Sequence, residues 1–303
     1  MNHPSSTKPI RILLAVDGSE HAYAAVELIR DLPMPAGSEI ALIAVLIPRD
    51  AANHAGLQAV LEQSQSTLKK GGVEIKTELL VGYPGEMLSE FADQYQPDLI
   101  ALGAKGLRAT LGILLGGVAQ QMVEYARCPV LIVRAPYRGI KRILLVTDGS
   151  EHSQRALNYL SQFPLPKETE VHVMHVLPPL YTPEMIVRSW PIGTEVLPPI
   201  STQEAEEITS KQAEAEEAKG KTLLKQSLEA LKQHGIEASS VLRRGDAATE
   251  IIHYAKDQEV QLIVAGSRGL SRIKSWLLGS VSRKLLHYSD VSVLIVKGEI
   301  EKD

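Results

Sequence analysis

The sequence has very little cysteine, since Cys128 is the only one among its 303 residues. A lone cysteine excludes a disulfide within the chain and a zinc site built from several thiolates, and it is typical of a reducing compartment. Long apolar runs are also absent, because no stretch approaches the about 18 residues that a membrane-spanning helix needs. The start MNHPSSTKPI lacks the apolar stretch of a secretory signal. We therefore expect a soluble, cytoplasmic protein with no membrane partner.

Positive charge is not in excess either. The 32 basic residues stand against 36 acidic ones, which gives a formal net charge of -4. Such a chain has no overall positive field to attract nucleic acid, so we expect no nucleic-acid partner. Hydrophobic residues make up 44% and charged residues 22% of the chain, an ordinary globular composition that excludes a disordered or fibrous protein.

What the sequence does contain is a second copy of itself. Arg11–Ala22 reads RILLAVDGSEHA and Arg142–Ser153 reads RILLVTDGSEHS, so nine of twelve positions are identical at an offset of 131 residues. Further along, matching glycines such as Gly116 and Gly279 lie 163 residues apart. The pattern indicates a tandem duplication. Its copies are too long to be solenoid repeats.

Each copy alternates short apolar, β-branched runs with helical patterns. The runs of the first copy are Arg11–Val16, Glu39–Leu46, Val73–Val81, Leu99–Leu102 and Val130–Val133. Those of the second copy are Arg142–Val146, Glu170–Val176, Glu237–Leu242, Leu262–Ala265 and Val291–Val296. Near-continuous apolar runs are typical of parallel strands buried on both faces. The fold class is therefore α/β, with two tandem domains at residues 1–136 and 137–303, each a five-stranded parallel sheet with helices on both faces.

The second copy carries 32 residues that the first lacks, between Pro179 and Gly235. Residues 178–199 contain six prolines and Trp190, so they cannot form a regular helix or a central strand. Residues 202–234 are rich in Ala, Glu, Lys and Gln and predict a long helix. The inserted segment, at about residues 180–212, is either a loop with an extended helix whose polar half is solvated, or a lid or partner-docking arm.

The clearest candidate site follows the fourth strand of the second copy. Residues 266–269 read GSRG and residues 279–282 read GSVS, with nine residues between them. Glycines let backbone approach a ligand closely, successive N–H groups form a nest for anions, and a helix N-terminus adds partial positive charge. The hydroxyls of Ser280 and Ser282 are candidate donors to phosphate oxygens. Alternatively, these glycines only end a strand and start a helix.

A carboxylate ends the first strand of each copy, Asp148 in VTDGS and Asp17 in AVDGS. In a doubly wound sheet whose order reverses between strands one and four, these strand ends flank the same crevice as the glycines. A carboxylate there would repel phosphate, so its expected role is to accept hydrogen bonds from a ribose or base, or to bind a metal ion. Alternatively, Asp148 caps the first helix, a task that Ser150 could perform instead.

Together these residues resemble the ATP-binding signature of the universal stress protein family, Gly266-x2-Gly269-x9-Gly279-Ser280 with a strand-one Asp148. The resemblance covers residues 11–134 and 142–297 and implies a Rossmann-like fold, ATP or a related adenine nucleotide as ligand, and dimerisation through the last strand. Mg²⁺ is a candidate companion of the phosphates.

By position, the resemblance assigns nucleotide-binding roles in both copies. The residues it implies around the base and ribose are Val146, Thr147, Asp148 and Val176. The residues it implies around the phosphates are Gly266, Arg268, Gly269, Gly279, Ser280, Val281 and Ser282, with Ala265 just before them. The weaker candidates of the first copy are Asp17, Val45, Gly103, Gly106, Gly116 and Gly117.

The first copy departs from this pattern. Gly117 stands where Ser280 stands and Ala119 where Ser282 stands, so both hydroxyls are missing. Losing two charge-assisted hydrogen bonds of about 1.5–3 kcal/mol each would weaken binding more than a hundredfold. We expect the first copy to bind nucleotide poorly or not at all.

No catalytic residue is predicted. The chain has no HExxH, GxxxxGK[ST] or GxSxG motif, and His172 and His175 fall on opposite faces of a strand, which disfavours a shared metal. We interpret His21 and His152 as solvated or capping groups and Cys128 as a packing residue. At most, slow ATP hydrolysis is expected.

The resemblance thus implies a stress-response regulatory protein that binds ATP through its second domain. We expect it to act on an unidentified protein partner, with the Trp190 insert as candidate surface. An alternative is a scaffold that binds no nucleotide and acts by protein contacts alone, and a weaker one is a nucleotide-consuming adenylyltransferase. The last strands of the two copies should pair edge to edge as a pseudo-dimer within one chain. Association of two chains into a homodimer stays open.

Overall fold

The computed structural model describes residues 8–69, 71–107, 115–180, 202–269 and 278–297. The strands of the first half are β1 (Arg11–Ala15), β2 (Ser38–Leu46), β3 (Val73–Val81), β4 (Leu99–Gly103) and β5 (Val130–Val133). Its helices are α1 (Glu20–Asp31), α2 (His54–Leu68), α3 (Pro84–Tyr95) and α4 (Gly117–Tyr125), with a 3-10 segment at Pro48–Asn53 before α2.

The second half repeats this order of elements. Its strands are β6 (Arg142–Val146), β7 (Glu170–Leu177), β8 (Ala238–Arg244), β9 (Leu262–Gly266) and β10 (Ser292–Val296). Its described helices are α5 (Glu151–Gln162), α6 (Thr202–Gln233), α7 (Ala247–Asp257) and α8 (Ser280–Tyr288). Each strand lies within one or two residues of the apolar run that predicted it.

All ten strands form one sheet, in the order β3-β2-β1-β4-β5-β10-β9-β6-β7-β8. Within each half the paired strands are parallel, whereas β5 and β10 are antiparallel, with Val293 opposite Ile132. The predicted α/β class and the pairing of the last strands are both confirmed. Because β1 and β4 are neighbours, as are β6 and β9, the sheet order reverses beside each of these pairs. This is where ligands bind in doubly wound sheets.

The central strands are apolar at nearly every position, because both faces of the sheet are covered. In β1, Ile12 and Leu14 pack into the core on one face and Leu13 into the core on the other, and all three are fully buried. This burial explains why the sequence shows continuous apolar runs rather than an alternating pattern.

The first helix of each half is capped by a serine. Ser19 Oγ accepts a hydrogen bond from Ala22 N, and Ser150 Oγ accepts one from Ser153 N, both at 3.2 Å. This arrangement satisfies an amide of the first helical turn, which has no partner within the helix. The capping role considered for Asp148 therefore belongs to Ser150.

The two halves exchange basic side chains across the β5–β10 seam. Arg134, just after β5, donates from Nη2 to the carbonyl of Leu286 in α8 at 2.6 Å. Lys297, just after β10, donates from Nζ to the carbonyl of Glu124 in α4 at 2.8 Å. Both carbonyls lie in the last turn of their helix, where the helix dipole favours a cation. Burial nevertheless lowers the pKa of both groups, that of Lys297 to about 8.

The predicted long helix is confirmed as α6. Leu224 and Leu231 are buried against the sheet, and Arg244 of β8 fixes the helix by an ion pair with Glu216 at 2.6 Å. Arg244 also donates to the carbonyl of Pro178 at 2.9 Å, so it links both ends of the insert. The lid or docking-arm hypothesis concerns the segment at about residues 180–212, of which residues 181–201, Trp190 included, lie outside the described ranges. Across the described ranges, no helix is long and apolar enough to cross a membrane.

Candidate functional site

The candidate residues of the second copy surround one cavity of about 570 Å³. It lies where β6, β7 and β9 end and α8 begins. All twelve line it: Val146, Thr147, Asp148, Val176, Ala265, Gly266, Arg268, Gly269, Gly279, Ser280, Val281 and Ser282. The expectation that strand ends and glycine loops share one crevice therefore agrees with the geometry.

The two glycine groups are held together by the backbone. Gly279 N donates to the carbonyl of Ser267 at 2.8 Å, although the two residues are separated by a loop whose residues 270–277 lie outside the described part. A Cβ on Gly279 would lie 3.1 Å from Arg268 Cα, so a side chain there would press on the loop that follows β9. In the first copy, Gly116 N donates to Ala104 O at 2.7 Å in the same way.

The other glycines are needed for contacts within the protein. A Cβ on Gly266 would lie 2.6 Å from the carbonyl carbon of His152, because the start of α5 packs against the end of β9. A Cβ on Gly269 would lie 2.5 Å from Asp148 Oδ2. Gly103 and Gly106 have matching close contacts, the latter with Asp17 Oδ2 at 2.5 Å. For these glycines the alternative explanation, a structural requirement at the strand end, is sufficient.

The strand-end carboxylates tie the glycine loop to the sheet. Asp17 accepts from Ser19 N and, through Oδ2, from Leu107 N, both at 3.0 Å. Asp148 accepts from Ser150 N at 3.0 Å, and its Oδ2 lies against Gly269. Each carboxylate oxygen has two lone pairs and can accept more than one hydrogen bond, so such a group suits a ligand hydroxyl as well as a backbone amide.

The two serines of α8 differ in their surroundings. Ser282 is buried and its hydroxyl donates to the carbonyl of Gly266 at 2.7 Å. A hydroxyl has one proton, so this group is not free to donate to a phosphate, and that part of the expectation for Ser282 is corrected. Ser280 is exposed at the first helical position, and within the described ranges its hydroxyl has no hydrogen-bond partner.

The side chain of Thr147 likewise contacts the protein rather than the cavity. Its buried hydroxyl donates to Ser153 Oγ at 3.2 Å, and its carbonyl accepts from His175 Nδ1 at 2.8 Å. Thr147 therefore lines the cavity while its side chain holds the start of α5.

Helix α8 presents unpaired amides to the cavity. Its N-cap is Gly279, which has no side chain to cap the helix. The first-turn amides of Ser280, Val281 and Ser282 have no acceptor in the described part of the chain, as expected for a helix start. Such a terminus favours an anion.

Sequence reasoning missed several residues of the cavity wall. Ala247, Ile251, Leu278 and Arg283 also line it. Arg283 could have been found, because it lies one helical turn after Gly279 in the motif. The charged side chains on the described wall are the guanidinium groups of Arg268 and Arg283 and the carboxylate of Asp148, which together give a net charge of +1.

The first copy forms a cavity of its own, of about 390 Å³. All six of its candidates line it: Asp17, Val45, Gly103, Gly106, Gly116 and Gly117. Asp50 and Leu57, from the segment that follows β2, close one side of it.

The histidines at the helix starts are not simple surface groups. His21 is partly buried and its Nδ1 accepts from Ala135 N at 2.9 Å, and His152 lies 3.4 Å from Ser267 Oγ. Burial is the main cause that lowers the pKa of both rings. The interpretation of these two residues as solvated or capping groups was wrong, because each contacts a segment more than a hundred residues away.

The remaining candidate reactive groups are structural. Burial raises the pKa of the Cys128 thiol to about 12, so it is protonated and unreactive at neutral pH. His172 Nδ1 contacts Tyr254 Oη at 2.8 Å and His175 contacts the backbone of Thr147, so the two do not share a ligand. No cluster of three metal-binding side chains occurs in the part of the chain that the structure describes.

The sequence matches the model of the universal stress protein family twice, over residues 10–134 and 139–297. The chain belongs to this family. Universal stress protein YxiE of Bacillus subtilis is 30% identical to this universal stress protein over 156 residues, which are 52% of the present chain and 98% of YxiE. That relative therefore has the length of one copy.

Longer relatives span both copies. Universal stress protein Slr1230 of Synechocystis is 23% identical over 244 residues, covering 80% of this universal stress protein and 72% of Slr1230. A universal stress protein structure from Archaeoglobus fulgidus superposes with a TM-score of 0.64 at 20% identity, covering 97% of this chain and 98% of that one. The tandem architecture is thus shared with a solved fold.

Proposed function

We propose that this universal stress protein binds ATP or a related adenine nucleotide in the cavity of its second domain, residues 137–303, and acts as a stress-response regulator. The observation that carries the proposal is the first turn of α8, whose amides have no acceptor among the described residues and which lines a cavity whose described wall has a net charge of +1. Amides at a helix N-terminus and two guanidinium groups suit a polyphosphate.

The other side of the cavity suits a nucleoside. Val146 and Val176, at the ends of neighbouring strands, provide apolar contacts for a base, and the Asp148 carboxylate can accept from ribose hydroxyls. Mg²⁺ would be bound through the phosphates. Its ligands from the protein are not proposed, because the described residues hold no three-residue metal cluster.

Nucleotide occupancy is proposed to act by stabilising the bound conformation rather than by fast turnover. The only titratable groups on the described wall are Asp148, Arg268 and Arg283, and Asp148 already accepts a backbone hydrogen bond. None of them is a base placed to activate water, so hydrolysis is expected to be slow. A regulatory protein partner would recognise the stabilised form, and the inserted segment at about residues 180–212 is its proposed surface.

A thermal denaturation experiment tests the proposal. ATP at one hundred times its Kd should add about 2.7 kcal/mol to the free energy of unfolding. The full chain should therefore melt at a higher temperature in the presence of ATP. If ATP at millimolar concentration leaves the melting temperature unchanged, the scaffold that binds no nucleotide becomes the better account.

A further inference from the structure

The two cavities share the half that the proposed function assigns to base and ribose. Ala15 and Val45 in the first copy take the places of Val146 and Val176, and a strand-end aspartate is present in each. The first copy thus retains an apolar wall beside a carboxylate. Its volume of about 390 Å³ falls in the range of about 300–1,000 Å³ that is usual for small-molecule sites.

The other half has changed its chemistry. Gly117 replaces Ser280, so the exposed hydroxyl at the helix start is absent. Ala119 replaces Ser282, but that hydroxyl serves the protein, so its absence removes no ligand contact. The first copy therefore lacks the hydroxyl that could contact a phosphate, the one that Ser280 supplies in the second copy. It also lacks the hydroxyl of Ser282, which contacts only the protein.

The charge on the wall has changed sign. The charged residues on the described wall of the first cavity are Asp17, Asp50 and Lys105, a net charge of -1, against +1 in the second. Asp50 comes from the 3-10 segment Pro48–Asn53, which has no described counterpart in the second copy. A second carboxylate beside the cavity repels a phosphate chain and accepts hydrogen bonds from hydroxyl or amino groups.

We propose that the first cavity binds a phosphate-free ligand of the nucleoside class. The inference rests on the proposed function in one respect: it assigns the wall that both cavities share to the base and ribose of the ligand. The protein would then hold two unlike adenine-type ligands, a polyphosphate in the second domain and an uncharged nucleoside in the first.

The matched probes are adenosine and ATP, which differ only in the triphosphate. In the full-length Gly279→Val variant a side chain presses on the loop that follows β9, which is expected to remove ATP binding at the phosphate half of the second cavity. Calorimetric titration of this variant, compared with the same variant carrying Val45→Trp, isolates the adenosine that the first cavity binds. There adenosine should bind at least about tenfold more tightly than ATP. Absence of adenosine binding, or equal or tighter binding of ATP, would overturn the proposal.

Two further variants in the Gly279→Val background assign the binding to this cavity. Val45→Trp, which fills the wall of the first cavity, should abolish adenosine binding, and unchanged binding would overturn the assignment. Asp50→Lys, at a half-buried position of the 3-10 segment after β2, should shift the preference about tenfold towards ATP. An unchanged preference would show that the charge of the wall does not select the ligand and would equally count against the proposal.

The outcome is separable from that of the proposed function. The wild-type chain with ATP tests the second cavity, whereas the adenosine binding that Val45→Trp abolishes in the Gly279→Val background tests the first. Circular dichroism of each variant establishes whether it is folded. If Val45→Trp does not fold, Asp50→Lys still tests the proposal.

Discussion

At the scale of single residues, Ser280 and Ser282 stand two positions apart at the start of α8 and meet different neighbours. Ser282 is 5% exposed and bonded to the carbonyl of Gly266, 16 residues away in sequence. Ser280 is exposed beside the amides of the first turn. Sequence alone could not separate their roles, because the acceptor for Ser282 belongs to a different strand.

This difference predicts opposite effects for two conservative changes. Ser282→Ala should lower the free energy of unfolding by about 1 kcal/mol, because a buried carbonyl loses its donor, with little effect on ATP affinity. Ser280→Ala should leave stability unchanged and weaken ATP binding by about 1.5–3 kcal/mol if its hydroxyl donates to a phosphate. Denaturant titration and calorimetry measure the two quantities. The reverse pattern would contradict the assigned roles.

His21 makes the stability of the protein depend on pH. Burial first, and then the charges of Lys105 and Arg134, hold its pKa below the ordinary value of 6.5. As the pH falls, the unfolded chain takes up a proton near 6.5 and the folded chain only at lower pH. The free energy of unfolding is therefore expected to fall as the pH drops below that value. A protonated ring also cannot accept the hydrogen bond from Ala135 N.

Urea denaturation at about pH 7.5 and about pH 5.5 measures this effect. The chain should be less stable at the lower pH, and His21→Asn should reduce the difference. It should not remove it, since burial also lowers the pKa of His152 and His172. An equal difference in the variant would show that His21 does not contribute.

At the scale of elements, the sequence predicted all ten strands. The inner strands were clear because parallel strands buried on both faces leave no alternation to misread, whereas the edge strands β3 and β8 have no buried position. Helix starts were predictable from serine in the DGS turns. The segment after β2 that lines the first cavity was not predictable from the sequence. It is the 3-10 segment Pro48–Asn53, which contains a kink at Asp50 that no periodic pattern signals. Contacts such as that of His21 with Ala135 join residues 114 positions apart, beyond any local signal.

Helix α6 offers a test of how the insert is attached. A Cβ on Gly220 would lie 2.9 Å from Leu242 and 3.1 Å from His175, so the helix approaches the sheet closely at this glycine. Gly220→Ile should lower the free energy of unfolding by about 1–3 kcal/mol through overpacking. Ala218→Ile, at an exposed position of the same helix, is the matched control and should change it by less than about 0.5 kcal/mol. Equal effects in both variants would contradict this packing.

At the scale of the whole molecule, the duplication produces one continuous sheet rather than two separate domains on a linker. Repeats in the sequence were enough to predict that the last strands of the two copies pair edge to edge. The antiparallel direction of the β5–β10 pairing comes from the structure. The reciprocal contacts of Arg134 and Lys297 could not be predicted, because each basic side chain reaches the last helix of the other copy.

Removing one of these contacts should weaken the seam. Arg134→Ala should lower the free energy of unfolding by about 1.5–3 kcal/mol, because it removes a charge-assisted hydrogen bond to a buried carbonyl. Arg138, an exposed arginine of the linker, provides the control substitution Arg138→Ala. Differential scanning calorimetry measures both. A loss no larger than that of the control would show that the seam is held by strand pairing alone.

The central claim is that the backbone cradle of the second domain, and not that of the first, holds a nucleotide polyphosphate. Calorimetric titration of ATP into the full-length wild type, Gly279→Val and its matched control Gly116→Val tests this claim most directly. We expect the wild type and Gly116→Val to bind ATP with similar affinity and Gly279→Val not to bind it. Undiminished binding by a folded Gly279→Val variant, or its loss in Gly116→Val alone, would contradict the claim.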